Sequence, residues 1–413
     1  MARSRAAVSP AAARAAAVCA LGYFVDAADV HLLAAFRAAS LGDLGVAPQA
    51  LAAASATLLN AQMAGMLAGA ALWGALGDRL GRLKVLYGSI LVYSMGTLAC
   101  AFAQTTHAYA LLRFVTGFGL AGETGAAVTI VAEILPPDSR AWGIAWTSAI
   151  GFLGPLSVAA LSAFLPWRAA YAVFGALGLV ILGLRLGLAE PELFARAHAR
   201  SGPGPWRLLL RPRAAATAAL CAAVGLPLIY LWSLLNFFSL ELGGAAVRPG
   251  EPFRQAACLV AFYAGTGAGG ALSGALSQFW RSRRAAMAAF LGAGALASAV
   301  LLLVAPRWPL SAGELYALYF VLGVSGGAWV LFTALAAELF GTDARATASI
   351  AIANAVRGFT VPMVWGFALL RGRMPQSSAA ALIGAALFAA GAAALTRLPE
   401  THGTNLDFLE AAA

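Results

Sequence analysis

The chain consists of apolar stretches of about 20 residues that alternate with short polar connections. A helix of about 20 apolar residues is long enough to cross a hydrocarbon core roughly 30 Å thick. The stretches are evenly apolar and do not alternate over about ten residues, which excludes the strands of a membrane barrel. The pattern predicts twelve helical spans, near residues 14–36, 52–76, 85–103, 108–132, 141–165, 168–188, 214–240, 255–279, 285–305, 314–337, 346–370 and 377–397.

Composition supports a membrane protein and excludes several other classes. Of the 413 residues, 61% are apolar and 11% are charged, whereas soluble proteins are about 45–50% apolar and about 25% charged. Disordered, collagen-like and disulfide-rich chains have different compositions again. Because only helices and closed barrels satisfy the backbone in lipid, the chain is predicted to be an all-α protein that crosses a bilayer.

The first span follows several arginines, in a way that is similar to a secretory signal peptide. The apolar run, however, continues through Asp26 and Asp29 to Phe36. Its removal would also leave an odd number of spans. We therefore expect the first span to be retained.

Charged residues between the spans predict the orientation of the chain. If the N-terminus is cytoplasmic, 17 basic residues lie in or beside inner segments and 7 lie on the outer side. The positive-inside rule then places both termini in the cytoplasm. This bias explains the formal net charge of +10 without nucleic acid as a partner. The 26 arginines beside one lysine are typical of GC-rich bacterial genes, so we expect a bacterial inner membrane protein.

A polar connection divides the spans into two sets of six. It covers residues 190–213 and contains five arginines and the sequence SGPGP at 201–205. Such a composition is typical of a linker. It predicts an N-terminal half, 1–189, and a C-terminal half, 214–413, which ends in a short cytoplasmic tail.

The two halves contain matching sequences. Residues 70–76 and 270–276 are identical at five of seven positions. Residues 132–141 and 337–346 both contain Ala-Glu, then Asp, then Arg-Ala. Because three of the shared positions in this second pair are charged, chance in an Ala- and Gly-rich chain is a poor explanation of both matches. An internal repeat of this kind predicts a transporter built from two parallel halves.

Glycines spaced by four residues occur at equivalent places in the two halves. Gly65 and Gly69 lie in the second span, and Gly265 and Gly269 lie 200 residues later in the eighth. Small residues at this spacing allow the backbones of two membrane helices to approach closely. We therefore expect close helix packing at these positions.

Three motifs resemble those of the major facilitator superfamily. The loop after the second span reads GALGDRLGRLK at 74–84, which is similar to the family's GxxxDRxGRxx signature. The fourth span contains RFVTGFG at 113–119, which resembles the family's RxxxGxG motif. The sequence LPETHG at 398–403 resembles the PETxG element of sugar porters and related organic-ion carriers. The resemblance implies that family's fold, in which twelve transmembrane helices form two pseudo-symmetric six-helix halves.

The chain departs from the family's pattern at several positions. In the second-half copy of the loop signature, Gln278 and Phe279 replace the acidic and basic residues. The fifth span has Gly154 and the proline after it, but lacks the closing glycines of the antiporter signature, so antiport is disfavoured. The seventh span lacks the glutamine pair of sugar porters, which disfavours a sugar as the cargo.

No cofactor or metal site is predicted. Segments 117–122 and 265–270 satisfy GxGxxG, but they lie inside membrane spans and follow no strand, as a dinucleotide site requires. The sequence contains no ATP-binding motif, so the proton gradient is the expected driving force. Four cysteines stand alone in apolar runs and are expected to be packing residues. These are Cys19, Cys100, Cys221 and Cys258.

Two carboxylates and an arginine in the first half are candidates for proton coupling or substrate binding. Asp26 and Asp29 lie near mid-membrane, where a charge costs at least ~2.5–3.5 kcal/mol and so indicates function. A desolvated carboxyl group with a like-charged neighbour is suited to carrying a proton. We expect Arg113 to pair with Asp26 or Asp29, either for coupling or as a structural ion pair. Glu123 lies about 80° from Arg113 around the fourth span, so those two need not pair.

In the second half, Arg357 of the eleventh span also lies near mid-membrane, with Asn354 one turn before it. The seventh span contributes Asn236 after a proline. Arg357 is expected either to bind an anionic substrate or to neutralise a carboxylate of the first half. Aromatic residues nearby are either site residues or packing residues, and they are Tyr230, Trp232 and Trp329.

A set of residues near the inner face resembles the superfamily's cytoplasmic latch. In that family, ion pairs and helix-end contacts close the inner face and break in the inward-open state. The alternative is that these are solvated loop charges that only set the topology. The residues are Gly74, Asp78, Arg79, Gly81, Arg82, Glu133, Arg140, Glu338 and Arg345.

Together these features predict a secondary transporter that rocks two halves around a central site. The expected cargo is a small organic solute, an organic anion being favoured by Arg113 and Arg357, with proton symport. Two alternatives stay open, namely proton-antiport efflux of drugs or a lipid-like solute, and a non-transporting sensor. An enzyme is not expected, because no nucleophile–base pair or metal-ligand cluster accompanies the carboxylates. The expected partners are the substrate and the lipid bilayer, and the chain is expected to act as a monomer.

Overall fold

The computed structural model describes residues 10–80, 82–122, 131, 135, 137–186, 211–341 and 345–403. Within these ranges the backbone is helical almost throughout and forms no β-strand, apart from a single parallel bridge between Val247 and Leu310. The all-α fold class predicted from the hydropathy pattern is confirmed.

Six helices form the described part of the first half. The first, α1, has 34 residues and extends beyond both ends of the predicted span, while the fourth begins at a threonine N-cap. The helices are α1 Pro10–Asp43, α2 Leu51–Leu80, α3 Arg82–Cys100, α4 Thr106–Leu120, α5 Pro137–Leu161 and α6 Trp167–Leu186.

Six further helices form the described part of the second half, and two of them are broken. α10 is interrupted at residues 327–328 and α11 at residue 359. A short helix, Ser239–Gly244, follows α7. The six are α7 Pro212–Tyr230, α8 Gln255–Phe279, α9 Arg283–Ala299, α10 Ala312–Gly326 with Trp329–Glu338, α11 Arg345–Gly358 with Thr360–Leu370, and α12 Gln376–Arg397.

Each of the twelve predicted spans coincides with a helix in the described residues. Nine helical stretches there are long and apolar enough to cross a membrane, and α3 and α5 provide shorter apolar segments, Val85–Cys100 and Ala149–Leu161. The hydropathy pattern therefore located the helices. It did not show their interruptions, because the residues at the breaks are themselves small or apolar.

The seventh helix changes its hydrogen-bonding pattern near its C-terminal end. Pro227 lies inside α7, where proline has no N–H to donate to the preceding turn. A π-helical turn, Leu231–Asn236, then continues the helix. Such turns are rare and occur frequently at functional sites. Here the turn carries Asn236, one of the predicted site residues.

The chain divides into two compact units, Met1–Ser201 and Gly202–Ala413. The division falls within the segment predicted to be a linker, residues 190–213. Of that segment, residues 190–210 lie outside the described part of the chain.

In the first unit, two glycines allow α2 to lie directly against the backbone of α4. A Cβ atom on Gly65 or Gly69 would collide with the carbonyl oxygen of Phe114 or Phe118, respectively. No larger residue fits at this separation. The close helix packing predicted from the glycine spacing is confirmed here.

The second unit repeats this contact. A Cβ atom on Gly265 of α8 would collide with the carbonyl oxygen of Phe320, and one on Gly269 with that of Val324. These contacts join α8 to α10. The glycines matched by sequence thus serve the same purpose in both halves, which supports the internal repeat.

Candidate functional site

A buried ion pair lies in the first half, between α1 and α4. The Asp29 side chain is 1% exposed and that of Arg113 is fully buried. Arg113 Nη1 lies 3.4 Å from Asp29 Oδ1, and Arg113 Nη2 donates to the main-chain carbonyl of Asp29 at 3.3 Å. The predicted pairing of Arg113 with a carboxylate of the first span is therefore present, and Asp29 provides that carboxylate.

The third helix supplies further polar groups to this pair. The Thr97 hydroxyl donates to Asp29 Oδ2. Cys100, one turn further along α3, is a free and fully buried cysteine, as expected of a packing residue.

Two tyrosines and a tryptophan form an aromatic cluster beside Arg113. The Arg113 guanidinium carbon lies 5.5 Å from the ring centroid of Tyr171 on α6. The hydroxyl groups of Tyr171 and Tyr109 are 2.6 Å apart, and the ring of Trp167 packs against both tyrosines. Sequence reasoning missed these residues, because nothing in an apolar helix distinguishes an aromatic residue near a charge from one that faces lipid.

This arrangement suits a carboxyl group that gains and loses a proton. When ionised, Asp29 accepts from Thr97 and Arg113. When protonated, it can donate to the Thr97 hydroxyl, because a hydroxyl both donates and accepts. Asp29 therefore has a hydrogen-bonding partner in both protonation states without water.

The other candidate residues of the first half lie in different surroundings. Asp26 is buried on α1, three residues before Asp29. Gly22 lies one turn before Asp26. Because glycine has no side chain, the buried guanidinium of Arg185 on α6 can pack against the helix backbone there. Glu123 lies outside the described residues.

In the second half, Arg357 lies beside the ring of Trp329. The guanidinium carbon of Arg357 is 5.4 Å from the ring centroid of Trp329, which also packs against Phe332. Asn354, one turn before Arg357, is buried, and its side-chain amide makes no hydrogen bond within the described residues. A partly exposed cation beside a buried amide is suited to binding a polar anion.

The seventh helix contributes a second group of polar side chains. Ser233 and Thr360 form a hydrogen bond of 3.1 Å between α7 and α11. Asn236 is buried in contact with Tyr263, and its Oδ1 atom accepts no hydrogen bond from the described residues. Asn236 thus offers a buried polar atom.

The aromatic residues of α7 hold helices together. The Tyr230 hydroxyl donates to the carbonyl of Ala380 on α12 at 2.9 Å. Trp232 Nε1 donates to the carbonyl of Gly326 at 3.3 Å and packs edge-on against Phe262. Their polar groups are satisfied by these contacts, which identifies both as packing residues.

A charged cluster joins the start of α9, the C-terminal end of α10 and the segment after α12. Arg283, at the start of α9, forms an ion pair with Glu338 at 3.0 Å. Thr401 also donates to Glu338, at 2.6 Å. Arg345 donates to the carbonyls of Ala337 and Phe340 and so caps the end of α10. Glu338 therefore forms an ion pair with Arg283, and Arg345 makes a separate contact with the end of α10.

Glu400 completes this cluster by capping the N-terminus of α9. Its carboxylate accepts from the Ser282 hydroxyl, from the backbone N–H of Arg283 at 2.8 Å and from that of Arg284 at 3.3 Å. Partial burial acts to raise the pKa of Glu400, but the hydrogen bonds from Ser282, His402, Arg283 and Arg284 outweigh it and lower the pKa to about 2. Glu400 had been noticed only as part of the PETxG element.

The latch residues of the first half are only partly described. Gly81 and Glu133 lie outside the described residues. The others lie on the described backbone of α2, α3 and α5, but their side-chain positions are outside the described part. These are Gly74, Asp78, Arg79, Arg82 and Arg140.

Comparisons with known proteins agree with this architecture. The family model described as Major Facilitator Superfamily matches residues 19–361. A putative metabolite transport protein of Haemophilus influenzae is 30% identical over 94% of this chain and 96% of its own length. The 3-(3-hydroxy-phenyl)propionate transporter of Escherichia coli is 29% identical over 70% of this chain and 71% of its own. The inward-open xylose transporter XylE of E. coli matches with a TM-score of 0.71 over 96% of this chain and 98% of its own, at 15% identity, which supports the fold alone.

Proposed function

Since this chain belongs to the Major Facilitator Superfamily and transports a small organic solute rather than catalysing a reaction, we propose that its cargo is an aromatic carboxylate carried together with a proton. The observation that carries the proposal is the buried pair of Asp29 and Arg113 inside the membrane-spanning part of the first half. Alternating access is provided by rocking of the two halves.

Asp29 is the proposed proton carrier. Its carboxylate is held by one hydroxyl donor and by a guanidinium at 3.4 Å, whereas a strong charge-assisted contact measures about 2.7–2.9 Å. The ion pair with Arg113 is longer than such a contact, so it opposes proton uptake by Asp29 less strongly than a short pair would. One charge moving through 100 mV supplies about 2.3 kcal/mol, which is enough for useful accumulation of a solute. No bound cofactor takes part in this scheme.

The second half supplies the proposed anion site. Arg357 provides the cation for a carboxylate, while Asn354 and Asn236 have buried amide atoms that bind no group of the described residues. An aromatic ring in the cargo is favoured because the E. coli relative is a transporter of 3-(3-hydroxy-phenyl)propionate, an aromatic carboxylate. Trp329, beside Arg357, is an aromatic surface suited to such a ring.

We also infer the setting in which the protein works. The excess of basic residues on one side supports a bacterial inner membrane location with both termini in the cytoplasm. Each unit has its own buried polar groups, which is consistent with function as a monomer.

The proposal is tested by proton flux in proteoliposomes that contain an internal pH dye. Adding 3-(3-hydroxyphenyl)propionate outside is expected to acidify the interior, whereas its uncharged amide should not, because the amide lacks the carboxylate that Arg357 would bind. Alkalinisation would instead indicate proton antiport. No response to a panel of carboxylates by correctly inserted protein would contradict coupled symport.

In the same assay, Asp29→Asn is expected to abolish proton-driven accumulation while exchange of solute at equal pH continues, because asparagine cannot take up the proton. Asp43→Asn is the matched control, since Asp43 lies on the same helix in a solvent-exposed ion pair with Arg168. Asp26→Asn is measured beside them. Full accumulation by Asp29→Asn would remove Asp29 from coupling, and selective loss in Asp26→Asn would transfer that role to Asp26.

A further inference from the structure

The guanidinium of Arg113 is held by more than the carboxylate of Asp29. It also contacts the main-chain carbonyl of Asp29 at 3.3 Å and the ring face of Tyr171 at 5.5 Å. These two partners are present whether or not the carboxylate is charged. Arg113 therefore has a binding site of its own on α1 and α6.

The ring of Tyr171 is fixed in its orientation. Tyr171 is fully buried, and its hydroxyl lies 2.6 Å from that of Tyr109. Its ring meets the ring of Tyr109 edge-on at 5.8 Å and that of Trp167 edge-on at 6.0 Å. The ring of Tyr171 therefore cannot rotate away from Arg113 without breaking one hydrogen bond and two ring contacts.

Proton uptake by Asp29 creates a difficulty that such a ring face can relieve. Neutralising the carboxylate leaves Arg113 as a buried cation without its counter-charge, which is strongly unfavourable. An aromatic face attracts a cation, and does so most strongly where water is excluded. The ring of Tyr171 therefore lowers the cost of the protonated state.

The other helices around Asp29 offer few charged groups. Residues 51–77 of α2 and 142–161 of α5 contain no ionisable carboxylate or basic side chain. Gln62 of α2 donates to the main-chain carbonyl of Val30, next to Asp29. On the surrounding helices, the remaining buried titratable or charged side chains of the described residues are Cys19, Asp26 and Arg37 of α1, Tyr93 and Cys100 of α3, Tyr109 of α4, and Tyr171 and Arg185 of α6, while Tyr23, His31, Tyr87 and Arg168 are partly buried.

We propose that Tyr171 is a positioning residue, held by Tyr109, whose ring face keeps Arg113 in place after Asp29 takes up a proton. Arg113 is then ready to re-form the ion pair when the proton leaves. The inference rests on the proposed function of Asp29 as the proton carrier. Tyr171 of α6 would thus influence coupling through Arg113, without touching the proton itself.

The experiment compares Tyr171→Leu, which removes the ring, with Tyr171→Phe, which removes only the hydroxyl. Without the ring, the carboxylate and the main-chain carbonyl of Asp29 remain as the partners described above, so Arg113 depends more strongly on the charged carboxylate and a proton competes less well for Asp29. In Tyr171→Leu, the external pH of half-maximal uptake is expected to fall by about one unit. Solute exchange at equal pH should stay within about twofold of the wild type, and Tyr171→Phe should keep a pH midpoint closer to wild type than Tyr171→Leu does.

Tyr93→Leu is the matched control, because Tyr93 is also a fully buried tyrosine of the first half. It should leave the pH midpoint unchanged. If Tyr171→Leu is inserted and folded but has the wild-type midpoint, the positioning role is wrong. If Tyr171→Leu fails to accumulate in the membrane, Tyr171→Met makes the same comparison, since methionine fills irregular space without a ring. Normal accumulation by Asp29→Asn would instead refute the proposed function, so the two failures are distinguishable.

Discussion

Glu400 shows how a single carboxylate can join a chain end to a helix. It lies in the polar segment after α12 and binds the first N–H groups of α9, where the helix dipole also favours a negative charge. Its pKa is lowered to about 2 because the hydrogen bonds from Ser282 and the backbone outweigh the effect of partial burial. The folded state therefore prefers the ionised form more strongly than the unfolded chain does.

This preference predicts a pH-dependent stability. The contribution of Glu400 is present above the ordinary carboxyl pKa of 4.5 and is lost as the pH falls towards 2. At pH 7, Glu400→Gln is expected to lower the Tm by about 2–4 °C, because glutamine carries no charge for the helix end. The difference between wild type and variant should shrink between pH 4.5 and pH 2.

Thermal unfolding in detergent at a series of pH values measures this effect. Glu251→Gln is the control, because Glu251 accepts one longer backbone bond of 3.3 Å from Ala312. It should shift the Tm by less than half as much. A pH-independent difference for Glu400→Gln would show that the charge of Glu400 does not contribute.

At the same scale, the sequence predicted the charges of the site but not their neutral neighbours. Asp29, Arg113 and Arg357 were recognisable because an ionisable residue inside an apolar span is costly and therefore conspicuous. Thr97 and Tyr171 were not recognisable, because neutral side chains occur throughout such spans at little cost. Their role depends on which way each helix faces, and that is set by packing.

At the scale of helices, contact between backbones fixes the separation of α2 from α4 and of α8 from α10. Close packing at these positions of α2 and α8 was predicted from glycines four residues apart and is present, whereas the partner helices were not predicted. The breaks in α10 and α11 and the π-helical turn in α7 were not predicted. Hydropathy measures only how apolar a segment is. It therefore does not reveal a change of backbone hydrogen bonding within an apolar segment.

The eighth helix allows a direct test of this packing. Gly265→Ala is expected to destabilise the protein by about 1–3 kcal/mol and lower its Tm, because the new methyl group would meet a carbonyl oxygen of α10. Gly267→Ala, two residues away, is the control, since a methyl group there has open space. That variant should be neutral or slightly stabilised, because alanine favours a helix. Equal thermal stability of the two variants would contradict the close contact.

At the scale of the whole chain, the placement of basic residues makes a prediction about topology. Seventeen basic residues against seven should hold both termini in the cytoplasm. Alkaline phosphatase fused after Ala413 is therefore expected to be inactive, and a fluorescent protein fused there should fluoresce. Phosphatase fused after Gly250, in the connection between α7 and α8, should be active. Active phosphatase after Ala413 and inactive phosphatase after Gly250 would show that the orientation is the opposite of the predicted one.

The glycine contacts have a mechanical consequence. Two helices whose backbones touch cannot slide smoothly past each other, because each glycine notch holds one carbonyl group and the interior is close-packed. The α2–α4 and α8–α10 pairs therefore move as rigid units, one in each half. The deformation that accompanies a transport cycle must then be taken up elsewhere, and the interruption of α11 at residue 359 is one such place.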